Sequence, residues 1–255
     1  MDQGVSLRRI LDDVAFCLIF FTRIGLGGNR MPDRPLGEAI WAAPVAGLAV
    51  ALIGSAVYAL AYAIGLATLS ASFLALGAML VATGCLHEDG LADVADGFGG
   101  GSTRERKLEI MRDSRIGTYG VAALIVTLGI KCFAMAQLVL PGLLATGLIA
   151  AHMGSRALLP AFMMIVPNTR SDGLSVGVGQ VGQTAALTAL ALGFAGLLFL
   201  GLAPAIITAL ALAAWLLALR WLALRQIGGR TGDVLGALQQ GGEVIVLLAA
   251  TIALT

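Results

Sequence analysis

Asp89, Asp93 and Asp96 stand in the stretch "HEDGLADVADGFGGG" at spacing i, i+4, i+7. On a helix that spacing turns all three carboxylates to one face. Three like charges on one face repel, and acids in a solvated turn have no reason to share one. A divalent cation relieves the repulsion, and hard carboxylate oxygens select Mg²⁺ or Mn²⁺ over thiophilic metals. Mg²⁺ uses few carboxylates and keeps coordination sites open for substrate phosphates. Glu88 adjoins the three and is a fourth candidate ligand. The glycines of "GFGGGS" allow close backbone approach to an anion.

Basic residues follow at once in "STRERKLEIMRDSRIGTYG". Arg104, Arg106 and Lys107 fit membrane-surface anchoring, on a short interfacial helix expected over 103–112. Arg112 and Arg115 fit anchoring and phosphate binding equally well. Acids that hold a cation, followed by arginines, are the arrangement that phosphoryl or pyrophosphate transfer needs.

The elements that must position these groups are membrane helices. The chain is 58% hydrophobic and only 12% charged, against about 25% charged in soluble domains. Near-continuous apolar runs fall at roughly 41–66, 70–86, 119–140, 142–166, 184–202, 204–224 and 234–255, most of them near the ~17–25 residues of a spanning helix. They lack the alternation of a barrel strand. The expected fold is an all-α polytopic membrane bundle of about seven spans forming a single domain. The 34 glycines suit close helix approach in lipid.

Charge placement orients the bundle. The links between the first and second, third and fourth, and fifth and sixth runs carry no charge. Segments 27–40, 87–118, 167–183 and 225–233 hold Arg30, Arg34, the basic residues named above, Arg170, Arg225 and Arg230. With an odd number of spans these segments share one face, and their bias makes it cytoplasmic. The segment 87–118 is then a cytoplasmic catalytic loop. A net charge of only +1 excludes a basic nucleic-acid platform. Over residues 1–40, the apolar core Val14–Phe21 is too short to span and lies between Asp12, Asp13 and Arg23, which predicts an interfacial or re-entrant helix. Cys17, Cys85 and Cys132 have no paired spacing and read as small apolar fillers.

Charges inside spans are costly in lipid and usually face a cavity. His152 and Arg156 share a helix face at i, i+4 and are expected to line the substrate cavity. Lys131 suits either a buried acid pair or a substrate contact. Arg170, Asp172, Arg230, Asp233 and Glu243 are expected in loops or span ends on the same face, so the site is assembled from several loops.

"HEDGLADVADGFGGG" with "RKLEIMRDSRIGTYG" resembles the signature of the cobalamin synthase family, the adenosylcobinamide-GDP ribazoletransferases. "FFTRIGLGG", "SRALLPAFMMIVPNTRSDGL" and "GGRTGDVLGALQQGGEV" resemble its other elements, in the right order. The resemblance implies transfer of phosphocobinamide from adenosylcobinamide-GDP to α-ribazole or its 5′-phosphate, with release of GMP and a requirement for Mg²⁺. It implies an enzyme of the inner membrane and leaves oligomeric state open. On this footing Asp89, Asp93, Asp96 and Glu88 are metal ligands. His87 or one of the aspartates accepts the attacking hydroxyl's proton. Arg112 and Arg115 hold the GDP phosphates, and Arg156, His152, Arg170, Arg230 and Asp233 bind substrate. Two other classes share parts of the pattern. A CDP-alcohol phosphotransferase would carry an Arg after "DGxxA", which is absent here, Asp93 directly following Ala92, and a prenyltransferase would carry a second Asp-rich motif. A divalent-cation transporter would place acids mid-membrane in inverted repeats.

Overall fold

The computed structural model describes residues 6–25, 34–169 and 178–255. Among them are ten α-helices, short 3₁₀ turns and no strand. In chain order the helices are α1 Leu7–Phe21, α2 Ala43–Ala63, α3 Thr68–Thr83, α4 Leu86–Gly100 and α5 Arg104–Ile110. They continue with α6 Thr118–Gln137, α7 Pro141–Ile165, α8 Gln183–Leu197, α9 Leu202–Ile227 and α10 Gly232–Leu254. Six of these, with their 3₁₀ extensions, are long and apolar enough to cross a bilayer: α2, α6, α7, α8, α9 and α10. The remaining expected run, 70–86, is different. It is α3, which meets α4 at a bend of 90°.

That bend is built from backbone. Gly84 closes α3 at φ 62° and Cys85 follows at φ 56°, both left-handed. A left-handed non-glycine residue costs about 1–2 kcal/mol, so neighbouring contacts must hold it. The Arg23 amide donates to the Ala82 carbonyl at 2.6 Å, and a side chain on Gly84 would collide with the Arg23 guanidinium. Cys85 is exposed at this turn, unlike the buried Cys17 and Cys132, so the apolar-filler reading holds for only those two.

At about 1.5 Å per residue, α1 is roughly 22 Å long and does not span. It lies against the segment leading into α2. Buried Asp13 pairs with Arg34 and accepts from the Trp41 indole at 2.7 Å, while the Cys17 thiol donates to the Ala39 carbonyl at 3.2 Å. Leu7 and Leu11 stay exposed, as an interfacial helix requires. Burial desolvates the Cys17 thiol and pushes it up to about 12.

Contacts between loops show that the basic segments share one end of the bundle. Gly37 donates to Val178 at 2.7 Å, and Arg230 donates to Pro167 at 2.8 Å. Lys107 on α5 bonds Gln226 near the end of α9. At the opposite end the Tyr58 hydroxyl donates to the Val139 carbonyl at 2.9 Å. The segment 87–118, expected as a loop, is mostly helix, comprising α4 and α5. The short helix expected over 103–112 is α5, capped by Thr103, whose hydroxyl accepts from the Arg106 amide at 3.2 Å.

Candidate active site

Helix α4 carries the acids, and the face they share is divided. Asp89 is exposed, Asp93 is half-buried and Asp96 is buried. Asp96 accepts from the Gly117 amide at 2.7 Å and the Gly120 amide at 2.9 Å. It therefore caps the N-terminus of α6, where free amides and the helix dipole favour an anion. Gly117 and Gly120 must be glycine here, since a Cβ on either would collide with this carboxylate. Asp96, expected among the metal ligands, has both oxygens engaged by backbone.

Glycines bring α4 against the start of α10. A Cβ on Gly90 would stand 2.9 Å from the Asp233 Cα, and one on Gly236 would stand 2.9 Å from the His87 carbonyl. Asp233 therefore begins α10 beside the turn of α4 that carries Asp93, three residues after Gly90. Thr231 caps α10, accepting from the Val234 amide at 3.3 Å and donating to Asp233 Oδ2 at 3.0 Å. The arginine loop follows α5 and runs straight into the capped end of α6. Arg112 and Arg115 are exposed there. Arg115 Nη2 donates to Asp113 Oδ2 at 2.7 Å, which holds the Asp113 carboxyl down at about 2 and raises the Arg115 guanidinium.

Among the described residues no three His, Cys, Asp or Glu side chains form a ready metal cluster. Asp89 is exposed and Asp93 half-buried, with the Asp233 backbone packed against Gly90 between them, and as carboxylates these three could hold a hard cation.

The remaining expected site residues are placed elsewhere. Glu88 turns inward, where Oε1 accepts from Gln240 Nε2 at 2.8 Å and lies 3.7 Å from Lys131 Nζ. Lys131 is also 3.4 Å from Glu243 and donates to Gln240 at 3.0 Å, so of its two expected roles the structure shows the buried pair. Arg156 Nη1 meets His152 Nδ1 at 2.8 Å, and His152 Nε2 lies 3.1 Å from Glu243 Oε1. His152 and Arg156 thus face one another and α10 rather than an open cavity. Gln239 completes the cluster, donating to Glu243 at 2.6 Å and to Ser155 at 3.2 Å. Along the helix axes, Arg156, Glu243 and Lys131 stand about 14–20 Å in from the basic end of α7, α10 and α6 at about 1.5 Å per residue. Glu243, expected near a span end, lies deep in the bundle.

His87, expected as a proton acceptor, is buried, and its ring lies parallel to Phe21 at 5.8 Å between centroids. Arg230, expected to bind substrate, is buried too, and Nη1 donates to the Val166 carbonyl at 2.8 Å at the end of α7. Burial lowers its guanidinium. Arg170 and Asp172 lie outside the described residues. Sequence reading missed Gln239 and Gln240. The available signal was "QQGGE", polar residues inside an otherwise apolar span.

A sequence profile described as cobalamin-5-phosphate synthase matches residues 13–251. The chain belongs to the cobalamin-5-phosphate synthase family. Its relatives include the adenosylcobinamide-GDP ribazoletransferase of Mesorhizobium japonicum, 53% identical over 98% of this chain and 97% of that protein. Proteins of the same name from Bradyrhizobium diazoefficiens and Sinorhizobium medicae are 47% and 42% identical, over 96% and 98% of this chain. No solved structure matches. The match runs from Asp13 in α1 to Thr251 in α10.

Proposed function

We propose that this chain is an adenosylcobinamide-GDP ribazoletransferase, acting with Mg²⁺ at the cytoplasmic face of the inner membrane. The observation that carries the reading is the 53% identity to a protein of that name over 98% of the chain. Asp96, one turn along α4 from Asp93, caps α6 directly after the arginine loop, and this shared origin of acids and arginines supports the chemistry. The basic bias of the bundle end that bears them supports a cytoplasmic orientation.

In this reading the substrates are adenosylcobinamide-GDP and α-ribazole or its 5′-phosphate. The ribazole hydroxyl attacks the phosphorus nearer the corrinoid, a new O–P bond forms, and the bridging O–P bond to GMP breaks in line. The attacking proton passes to a carboxylate on the Asp89–Asp93 edge, since His87 is buried on another side of α4. Arg112 and Arg115 take up charge that develops on the departing GMP. Asp89 and Asp93 would hold Mg²⁺, which would supply Lewis-acid polarisation of the phosphoryl oxygens. Asp233 bounds the same edge from α10.

The test is turnover by the purified chain in lipid nanodiscs with Mg²⁺, adenosylcobinamide-GDP and α-ribazole, followed by mass spectrometry. GMP and cobamide should form one for one, disappear with EDTA, and fall by at least about 100-fold in Asp89→Asn, the scale of losing a charge-stabilising group. Well-folded protein that yields no GMP with either ribazole form would refute the assignment.

A further inference from the structure

Of the four acids of α4, Glu88 and Asp96 are buried, and they bracket exposed Asp89 and half-buried Asp93. Eight residues separate the bracket ends, about 12 Å of helix at about 1.5 Å per residue. Both ends are fastened to α6. At the outer end Asp96 holds the Gly117 and Gly120 amides. At the inner end Glu88 lies 3.7 Å from Lys131 Nζ, and Gln240 of α10 bridges the two, donating to Glu88 at 2.8 Å and accepting from Lys131 at 3.0 Å.

Lys131 is only 2% exposed. A lysine there is strongly disfavoured in lipid without partners, so its contacts with Glu88 and Glu243 define one arrangement of α4, α6 and α10. Register matters because one residue of slip turns a helix by about 100° and shifts it about 1.5 Å. A slip of that size would turn Asp89 and Asp93 off their present faces and pull Glu88 and Asp96 away from their partners.

We propose that Lys131 and Gln240 are positioning residues for the transfer reaction. They hold Glu88, and through Glu88 they set the register of α4, which presents Asp89 and Asp93 to the metal and the pyrophosphate. This rests on the metal-holding role given to Asp89 and Asp93 above. A lattice that served folding alone would leave the affinity for metal untouched once the protein had folded. A lattice that sets register changes it.

The experiment uses the full chain in nanodiscs and the double variant Glu88→Gln/Lys131→Met. That pair removes one buried anion and one buried cation together, leaving Arg156 and Glu243 to balance one another. Four quantities are read: thermal unfolding, the kcat and KM for adenosylcobinamide-GDP, the half-saturating Mg²⁺ concentration, and binding of Mn²⁺ alone by electron paramagnetic resonance. The expected result is a folded protein whose half-saturating Mg²⁺ and Mn²⁺ dissociation constant rise, and whose kcat falls, by about 10–100-fold. KM for the corrinoid should stay at its parental value. A folded double variant with parental metal binding and kcat overturns the proposal. If the double variant does not fold, Gln240→Met keeps both charges and is read in the same four ways. Asp89→Asn run alongside separates the two layers. Loss of Mn²⁺ binding there but not in the double variant overturns the positioning role alone, whereas intact binding in Asp89→Asn overturns the metal reading and this proposal with it.

Discussion

Asp96 and Asp89 lie two turns apart on the same helix, yet the structure gives them opposite sensitivities. Asp96 satisfies two amides at the start of α6, at 2.7 and 2.9 Å. Replacing a capping side chain by alanine costs about 0.5–2 kcal/mol, and a buried donor left without an acceptor costs about 1–3 kcal/mol. Loss of a partly buried charge at a helix terminus adds up to about 2 kcal/mol. These overlap, so Asp96→Ala should cost about 3 kcal/mol, and Asp96→Asn, which keeps one acceptor, somewhat less. Asp89 is exposed and makes no such contact with α6, so Asp89→Asn should stay within about 0.5 kcal/mol of the parent. Reversible unfolding in mixed detergent–SDS micelles reads both, and turnover reads the converse, with Asp89→Asn folded and inactive. If Asp96→Ala unfolds within about 0.5 kcal/mol of the parent, the cap is not holding α6 and the division of the acids is wrong.

Three further predictions concern neighbouring contacts. Gly90→Val would drive a side chain into the Asp233 backbone, which Cβ already approaches to 2.9 Å; it should cost about 1–3 kcal/mol and lower turnover at saturating Mg²⁺, checked by unfolding and initial rates. Arg230→Met should destabilise by about 1–3 kcal/mol by abandoning the Val166 carbonyl at 2.8 Å, and Arg230→Lys should not restore it, because a lysine lacks the planar fork. Arg115 holds Asp113 at about 2, below its ordinary 3.8, so their contact is complete above that ordinary value and is lost as pH falls through about 2. Carboxyl ¹³C titration should show this, and in Arg115→Ala the Asp113 midpoint should climb back towards 3.8.

The apolar runs made the spans legible, and the i, i+4, i+7 spacing made α4 legible as a helix with an acid face. The turn at Cys85 was not legible, because a cysteine carries no preference for left-handed backbone and the turn depends on contacts with Arg23. Helical spacing reports which face a carboxylate occupies and not what lies across from it. Asp96 therefore could not be told from Asp89 until Gly117 and Gly120 were placed beside it. The pairing of Lys131 with Glu88 and Glu243 joins residues far apart in the chain; a buried acid partner was one of two roles open to Lys131, but Glu88 read as part of the acid cluster and Glu243 as a span-end residue. His152 and Arg156 were correctly placed on one face, but the partner they face belongs to the last helix.

That last point bears on how the protein is made. The buried lattice holds two cations, Lys131 and Arg156, and two anions, Glu88 and Glu243, and the second anion arrives only with α10. Synthesis at about 5–20 residues per second separates Arg156 from Glu243 by about 4–17 s. For that interval α7 sits in the bilayer with a buried arginine still lacking the carboxylate it will face, an exposure of about 2.5–3.5 kcal/mol. A nascent chain that stops before α10 keeps two buried cations with Glu88 as the one anion of the lattice. Closure of the buried charge lattice therefore waits for the last helix, which brings Glu243 to Lys131 and His152.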